Sequence, residues 1–137
     1  IEKKIKPAIL KKKIIICDRF IDSTSAYQIY GKFVSKFMVD TVHKYILGNI
    51  RPDITFVLKA NISNAMKRIK KRRKKNRYDK FSKNYYYRVQ KAFLKIAKLN
   101  KKRYVVIDNS LDTPITEKLI FNKFIKTVNR WNQLKKI

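Results

Sequence analysis

The sequence predicts an α/β fold with a parallel sheet, and three observations carry that expectation. Short apolar runs without polar alternation occur at residues 13–17, 54–58 and 104–107, the pattern of parallel strands covered on both faces. Longer stretches between and after them place apolar residues at three- and four-residue spacing, the period of a helix packed on one side. The chain has 137 residues, 45% of them hydrophobic and 12% aromatic, enough for the core of one domain and too few for two. A single domain over residues 1–137 is expected.

The run at 13–17 reads Lys-Ile-Ile-Ile-Cys, the next Ile-Thr-Phe-Val-Leu, and the last Tyr-Val-Val-Ile. Each is β-branched or aromatic, as strands prefer. Phe33, Phe37, Val39, Val42, Tyr45 and Ile46 form an apolar stripe ahead of Gly48, which predicts a helix stopped by that glycine. Tyr85, Val89, Phe93 and Ile96 mark the buried face of a helix of about five turns. Within Tyr85-Tyr86-Tyr87, helical phase turns one or two rings toward the core. Thr113 followed by Pro114 gives an N-cap and a first-turn proline. Phe121, Phe124, Ile125, Val128 and Trp131 then mark one face of a last helix, as core or as a subunit contact.

No apolar run approaches the roughly 18–20 residues that span a bilayer, and the charged opening residues do not form a secretory signal. Cys17 is the single cysteine, which suits a reducing compartment and a core thiol at a strand's end; a cytoplasmic protein is expected. His43 has no second ligand nearby in sequence and reads as an ordinary helix histidine. The net charge is +27. Clustered lysine and arginine would favour a nucleic-acid phosphate backbone, and a small basic nucleic-acid-binding protein is one reading of the chain. However, Lys outnumbers Arg 27 to 9, and Ile, Asn, Tyr and Phe are abundant while Gly is scarce. These residues share A/T-rich codons, and the positive charge is spread along the chain, so nucleic acid is not the expected partner. Residues 67–77, KRIKKRRKKNR, are too charged to enter a core and must face solvent or an anionic ligand.

The segment Cys17-Asp18-Arg19-Phe20-Ile21-Asp22-Ser23-Thr24-Ser25-Ala26-Tyr27-Gln28 carries the chemistry. An apolar strand ending in Asp-Arg would set a carboxylate and a guanidinium at the carboxyl edge of a parallel sheet, where α/β folds bind ligands. Asp18 could hold a magnesium ion directly or through water, and Arg19 could clamp a phosphoryl group with paired hydrogen bonds. Ser23, Thr24, Tyr27 and Gln28 follow at helical spacing and offer a surface for a base and sugar.

That segment resembles the signature of the thymidylate kinases, in which Asp-Arg-aromatic ends the third strand and Ser, Thr and Ala-Tyr-Gln follow. Lys6-Pro7-Ala8, Arg51-Pro52-Asp53-Ile54-Thr55, Asn76-Arg77-Tyr78-Asp79 and Val106-Ile107-Asp108 resemble further blocks of that family, in the same order. The resemblance implies a P-loop kinase fold and transfer of a phosphoryl group from ATP to dTMP with Mg²⁺. Another nucleotide kinase of the same superfamily is the neighbouring possibility, against which Thr24 and Tyr27 argue. By resemblance, Asp18 lies near the magnesium, Arg19 on the phosphates, and Thr24 at the thymine edge with Ser23 close by. Tyr27 lies against the sugar, and Gln28 is a further nucleotide contact. Residues 67–81 would be the lid over ATP, with Arg68, Arg72, Arg73 and Arg77 as candidates to neutralise the transferring phosphoryl. Asp108 and Asn109 would open the loop that approaches adenine. A homodimer packed through helices, including residues 34–47, is also implied.

The sequence departs from the family at its start, and in the lid block Asn76 and Asp79 stand where the family has Asp and Glu. It contains no G-x-x-x-x-G-K-[ST] loop, and its only glycines are Gly31 and Gly48. The family's first two strands have no counterpart, and Ile1 corresponds to a point inside the helix before the third strand. The expectation is a truncated α/β kinase domain, marginally folded by itself and inactive. In the family's strand order the missing first strand lies between the third and fourth, so residues 13–17 and 54–58 would lack a shared neighbour.

Overall fold

The computed structural model describes residues 1–71, 81–110 and 113–134. Its elements are helices α1 (Ile5–Leu10), α2 (Ile21–Thr24), α3 (Lys36–Leu47), α4 (Ile62–Lys71), α5 (Lys83–Leu99) and α6 (Pro114–Leu134). Strands β1 (Thr55–Lys59) and β2 (Tyr104–Asp108) complete it, and α2 runs on directly into a π-helical segment, Ser25–Gly31. Among the described residues the sheet is β1 and β2 alone, parallel, in register from Thr55 opposite Tyr104 to Lys59 opposite Asp108. Parallel neighbours require a long crossover, which contains α4 and α5.

Local chemistry explains the starts of α3, α4, α5 and α6 and the end of α3. The Ser82 hydroxyl accepts from the Tyr85 N–H at 3.2 Å, and the Asn61 side chain accepts from the Asn64 N–H at 3.2 Å. Both are N-caps that satisfy a first-turn donor. The Ser35 hydroxyl lies 3.5 Å from the Met38 N–H at the start of α3. Gly48 ends α3 with φ +53° while its N–H bonds the Lys44 carbonyl, as the expected stop requires. Pro114 is the first residue of α6.

The core forms around α5. Ala26, Tyr85, Val89 and Ala92 are buried together, with Tyr27, Tyr30, Phe81, Tyr86, Phe93 and Ile96 packed on them. A second cluster joins Val57 and Tyr104 of the sheet to Ala97, again with Phe93 and Ile96. Helix and π-segment approach closely because Gly31 has no side chain: a Cβ there would lie 2.8 Å from Tyr85 Cε2 and 3.1 Å from Val89 Cγ2. The Gln90 side chain accepts from the Ala60 N–H at 3.1 Å and ties the end of β1 to α5.

Two sequence expectations are corrected. Residues 13–17 do not form a strand: they belong to no sheet, and Ile14, Ile15, Ile16 and Cys17 are exposed. A strand is made by its partner, and none flanks this segment among the described residues, so its apolar side chains and Cys17 stay in solvent. The helix expected ahead of Gly48 forms as α3, and its stripe faces outward, with Val39 and Leu47 the buried residues of the helix while Phe37, Val42, Tyr45 and Ile46 are exposed. Leu58 and Val106 are also exposed, so the sheet is not covered on both faces.

Candidate functional site

The Asp-Arg loop begins where residues 13–17 end. Arg19 has φ +64°, a left-handed conformation that costs a non-glycine residue roughly 1–2 kcal/mol and tends to persist where surrounding contacts hold it. One such contact is visible: the Arg19 guanidinium lies over the Tyr27 ring, 5.4 Å from its centroid, within cation–π range. The Cys17 thiol points at the Arg19 carbonyl at 3.4 Å. Asp18 is exposed and makes no hydrogen bond or ion pair among the described residues, so its carboxylate is open to a ligand. No group of three His, Cys, Asp or Glu side chains gathers among the described residues. A lone carboxylate fits magnesium, which keeps several waters and shares phosphate oxygens.

Ser23, Thr24, Tyr27 and Gln28 ride on the continuous helical stretch of residues 21–31. Thr24 is exposed, and the other three are half-buried. Tyr27 is seated by aromatic contacts, tilted against Tyr85 at 6.3 Å and edge-on to Phe93 at 6.1 Å. The Gln28 carbonyl accepts from the Val34 N–H at 3.0 Å, which closes the turn after Gly31. The Arg88 guanidinium bonds the Gly31 carbonyl at 3.3 Å and covers the ring of Phe33, another residue with positive φ.

Asp108 and Asn109 stand at the carboxyl end of β2. The Asn109 N–H bonds the Lys59 carbonyl at 2.7 Å, and the Asp108 carboxylate lies 3.4 Å from the Lys59 ammonium. Ser110, through its side chain and its N–H, and then Lys59 hold the Asp108 carboxyl below its ordinary value. Arg68 is half-buried on α4. Arg72, Arg73 and Arg77, and most of the expected lid at 67–81, lie outside the described residues.

Sequence reasoning passed over one group. Asp22 is paired with Arg103, and its other oxygen accepts from the Tyr104 hydroxyl at 2.6 Å. Arg103 also contacts the Tyr104 hydroxyl. Burial first, then the hydrogen bond to Asp22, push the Tyr104 phenol well above its usual 10.0. These residues lie 81 and 82 positions from Asp22, so no local spacing signals the contact. They sit at the entrance to β2, so the stretch bearing Ser23 and Thr24 is fastened at that end of the strand. Asp108 and Asn109 sit at the other end.

A sequence profile of the family described as thymidylate kinase matches residues 1–120. The chain belongs to the thymidylate kinase family. The thymidylate kinase of Ehrlichia chaffeensis is 40% identical over 109 residues, covering 80% of this chain and 52% of that protein. That of Mycoplasma capricolum is 38% identical over 130 residues, covering 93% of this chain and 59% of its own length. The crystal structure of the Ehrlichia chaffeensis thymidylate kinase aligns with a TM-score of 0.63 at 32% identity, over 93% of this chain and 56% of that one. The chain therefore spans a little over half the length of the thymidylate kinases it matches, and the α/β kinase-like fold expected from the sequence is the fold of its structural relative. No helix among the described residues is long and apolar enough to cross a membrane.

Proposed function

We propose that this chain carries the dTMP side of a dTMP kinase, which moves the γ-phosphoryl of ATP onto dTMP with Mg²⁺ and yields ADP and dTDP. The observation that carries the reading is the left-handed Arg19 held over Tyr27 at the head of the Ser23–Thr24 stretch. A guanidinium lying over a ring, with two hydroxyl residues following on the same helical stretch, suits a phosphate, a sugar and a base in sequence. In this reading Arg19 clamps the acceptor phosphate, Thr24 meets the thymine edge with Ser23 beside it, Tyr27 backs the sugar, and Gln28 adds a polar contact. Asp18 holds Mg²⁺, whose chemistry is to bridge phosphate oxygens and neutralise their charge. Asp108 and Asn109 flank the adenine, and Arg68 with Arg72, Arg73 and Arg77 faces the ATP phosphates from the lid. The reaction needs positioning and charge neutralisation, with no covalent intermediate on the protein.

The exposed apolar face of α3 supports a homodimer formed through that helix, and the reading implies a cytoplasmic protein. The sequence contains no glycine-rich phosphate loop, so these 137 residues are expected to bind dTMP without transferring phosphate to it. Titration calorimetry with dTMP, dAMP and DNA at physiological salt tests the proposal. Preference for dTMP, weakened roughly tenfold or more by Arg19→Ala as removal of a charge-assisted contact predicts, supports it. Equal binding of both nucleotides, or tight binding of DNA alone, overturns it.

A further inference from the structure

The stretch that bears Ser23, Thr24, Tyr27 and Gln28 has two anchors, and they are chemically unlike. Ala26 is fully buried against Tyr85, Val89 and Ala92 of α5. Four residues earlier, on the same helical face, Asp22 is largely covered against the start of β2. An apolar contact such as Ala26 fixes distance but tolerates rotation about itself. The carboxylate does not: Oδ1 takes the Tyr104 hydroxyl at 2.6 Å and Oδ2 takes Arg103 Nη2, which sets both position and angle.

Burial makes this costly. The side chains of Asp22 and Arg103 are 13% and 16% exposed, and the Arg103 Nε is buried without a partner. A charge pair taken out of water this far is a poor source of stability compared with apolar packing. Its best-attested use is to fix one arrangement among several. What it fixes here is specific, since Asp22 directly precedes Ser23. Phe20, just before the helix, provides no side-chain cap. The Ser23 and Thr24 N–H groups bond the Phe20 carbonyl, at 3.0 and 3.4 Å, which closes the first turn of the backbone and leaves its fastening to β2 to the carboxylate.

We infer that Asp22 is a positioning residue of the acceptor site, clamped by Arg103 and Tyr104 so that Ser23 and Thr24 face the base at one fixed angle. It touches no nucleotide itself and acts through the residues that follow it. The inference rests on the dTMP reading above. It adds that selectivity for the base depends on a contact made at the far side of the helix, on β2.

The test is affinity for dTMP and for dUMP, measured by calorimetry on the wild-type chain, Tyr104→Phe and Asp22→Asn, with a melting curve for each. Tyr104→Phe keeps the ring in the core and removes one hydrogen bond to the carboxylate, so it is the variant least able to unfold the chain. We expect it to keep a cooperative melt, lose roughly tenfold in dTMP affinity, and lose most of the preference for dTMP over dUMP. Asp22→Asn should do the same or more. A merely structural clamp would lower the melting temperature and leave the dTMP-to-dUMP ratio unchanged, and that result overturns the inference. So does a folded Tyr104→Phe with unchanged ratio, whatever Asp22→Asn does. A wild-type chain that binds dTMP no better than dAMP removes the underlying dTMP reading itself, and the inference with it.

Discussion

Two regions of this chain draw on the same stock of isoleucine, valine and aromatic residues and end in opposite states. Around α5, Tyr85 is 4% exposed and Ala26 fully buried. Along residues 14–16 and the outer face of α3, Ile16 is 84% exposed and Tyr45 91%. Hydropathy does not separate them. The first region has neighbours all along its inner face: the π-segment, β1, β2 and α4 all pack on α5. The second has side chains of equal appetite for burial and, among the described residues, no element packed closely enough to cover them. Full burial of one such side chain is worth about 1.5–3 kcal/mol, and that energy is left unclaimed at each exposed site.

The largest expected difference follows from Tyr85. Tyr85→Ala should destabilise the chain by about 3–5 kcal/mol, enough to abolish the cooperative transition of a marginal domain in a urea titration followed by circular dichroism. A loss under about 1 kcal/mol would mean the α5 cluster is not the core. Next come the two glycines, which fail for different reasons. Gly31→Ala forces a methyl into the Tyr85 ring and should cost about 1–3 kcal/mol. Gly48→Ala meets open space and should cost about 1–2 kcal/mol for its positive φ alone. Equal losses would erase the distinction between crowding and backbone strain.

A smaller effect concerns pH. The folded state holds the Tyr104 phenol above its ordinary 10.0, so between that value and the folded one the native state binds the extra proton. Its contribution to stability is present in full below pH 10 and falls as pH rises further. Tyr104→Phe should remove this component, and wild type and variant should show diverging alkaline melts. Parallel alkaline curves would show that the phenol is not held.

The smallest effect belongs to the open region. Ile16→Asn should change stability by less than about 0.5 kcal/mol. Phe37→Asp with Tyr45→Asp should shift sedimentation from dimer to monomer, if α3 is the subunit contact proposed above, and lower the melt only by the concentration-dependent share that dimerisation supplies. A large loss of stability in the monomer from either change would mean that these residues are covered after all.

The sequence showed what local chemistry determines. Residues 54–58 and 104–107 became β1 and β2 within one residue at their ends, because each run finds the other as partner. The spacing of Tyr85, Val89, Phe93 and Ile96 marked the inner face of α5, and Tyr87 turned outward as helical phase requires. Residues 13–17 were indistinguishable from those two runs in composition. Their failure to become a strand depends on a partner, which no property of the segment itself reveals. At the candidate site the Asp-Arg loop and the residues after it were legible as a run of polar groups at helical spacing. The left-handed Arg19 was not, since arginine carries no preference for positive φ. The Asp22 clamp was not legible either, because its partners lie 81 and 82 residues away.

The π-helical segment closes wider rings than the α-helix that leads into it, so Ser25–Gly31 holds slack in its coil. Loss of one residue there could be absorbed by tightening into α geometry. The portions ahead of the segment and beyond it would keep their headings, because the tightened coil sweeps nearly the same angle with one residue fewer, while residues within it would turn. A lineage could thus re-aim Tyr27 and Gln28 by a single codon deletion, leaving the hydroxyls upstream on their original heading.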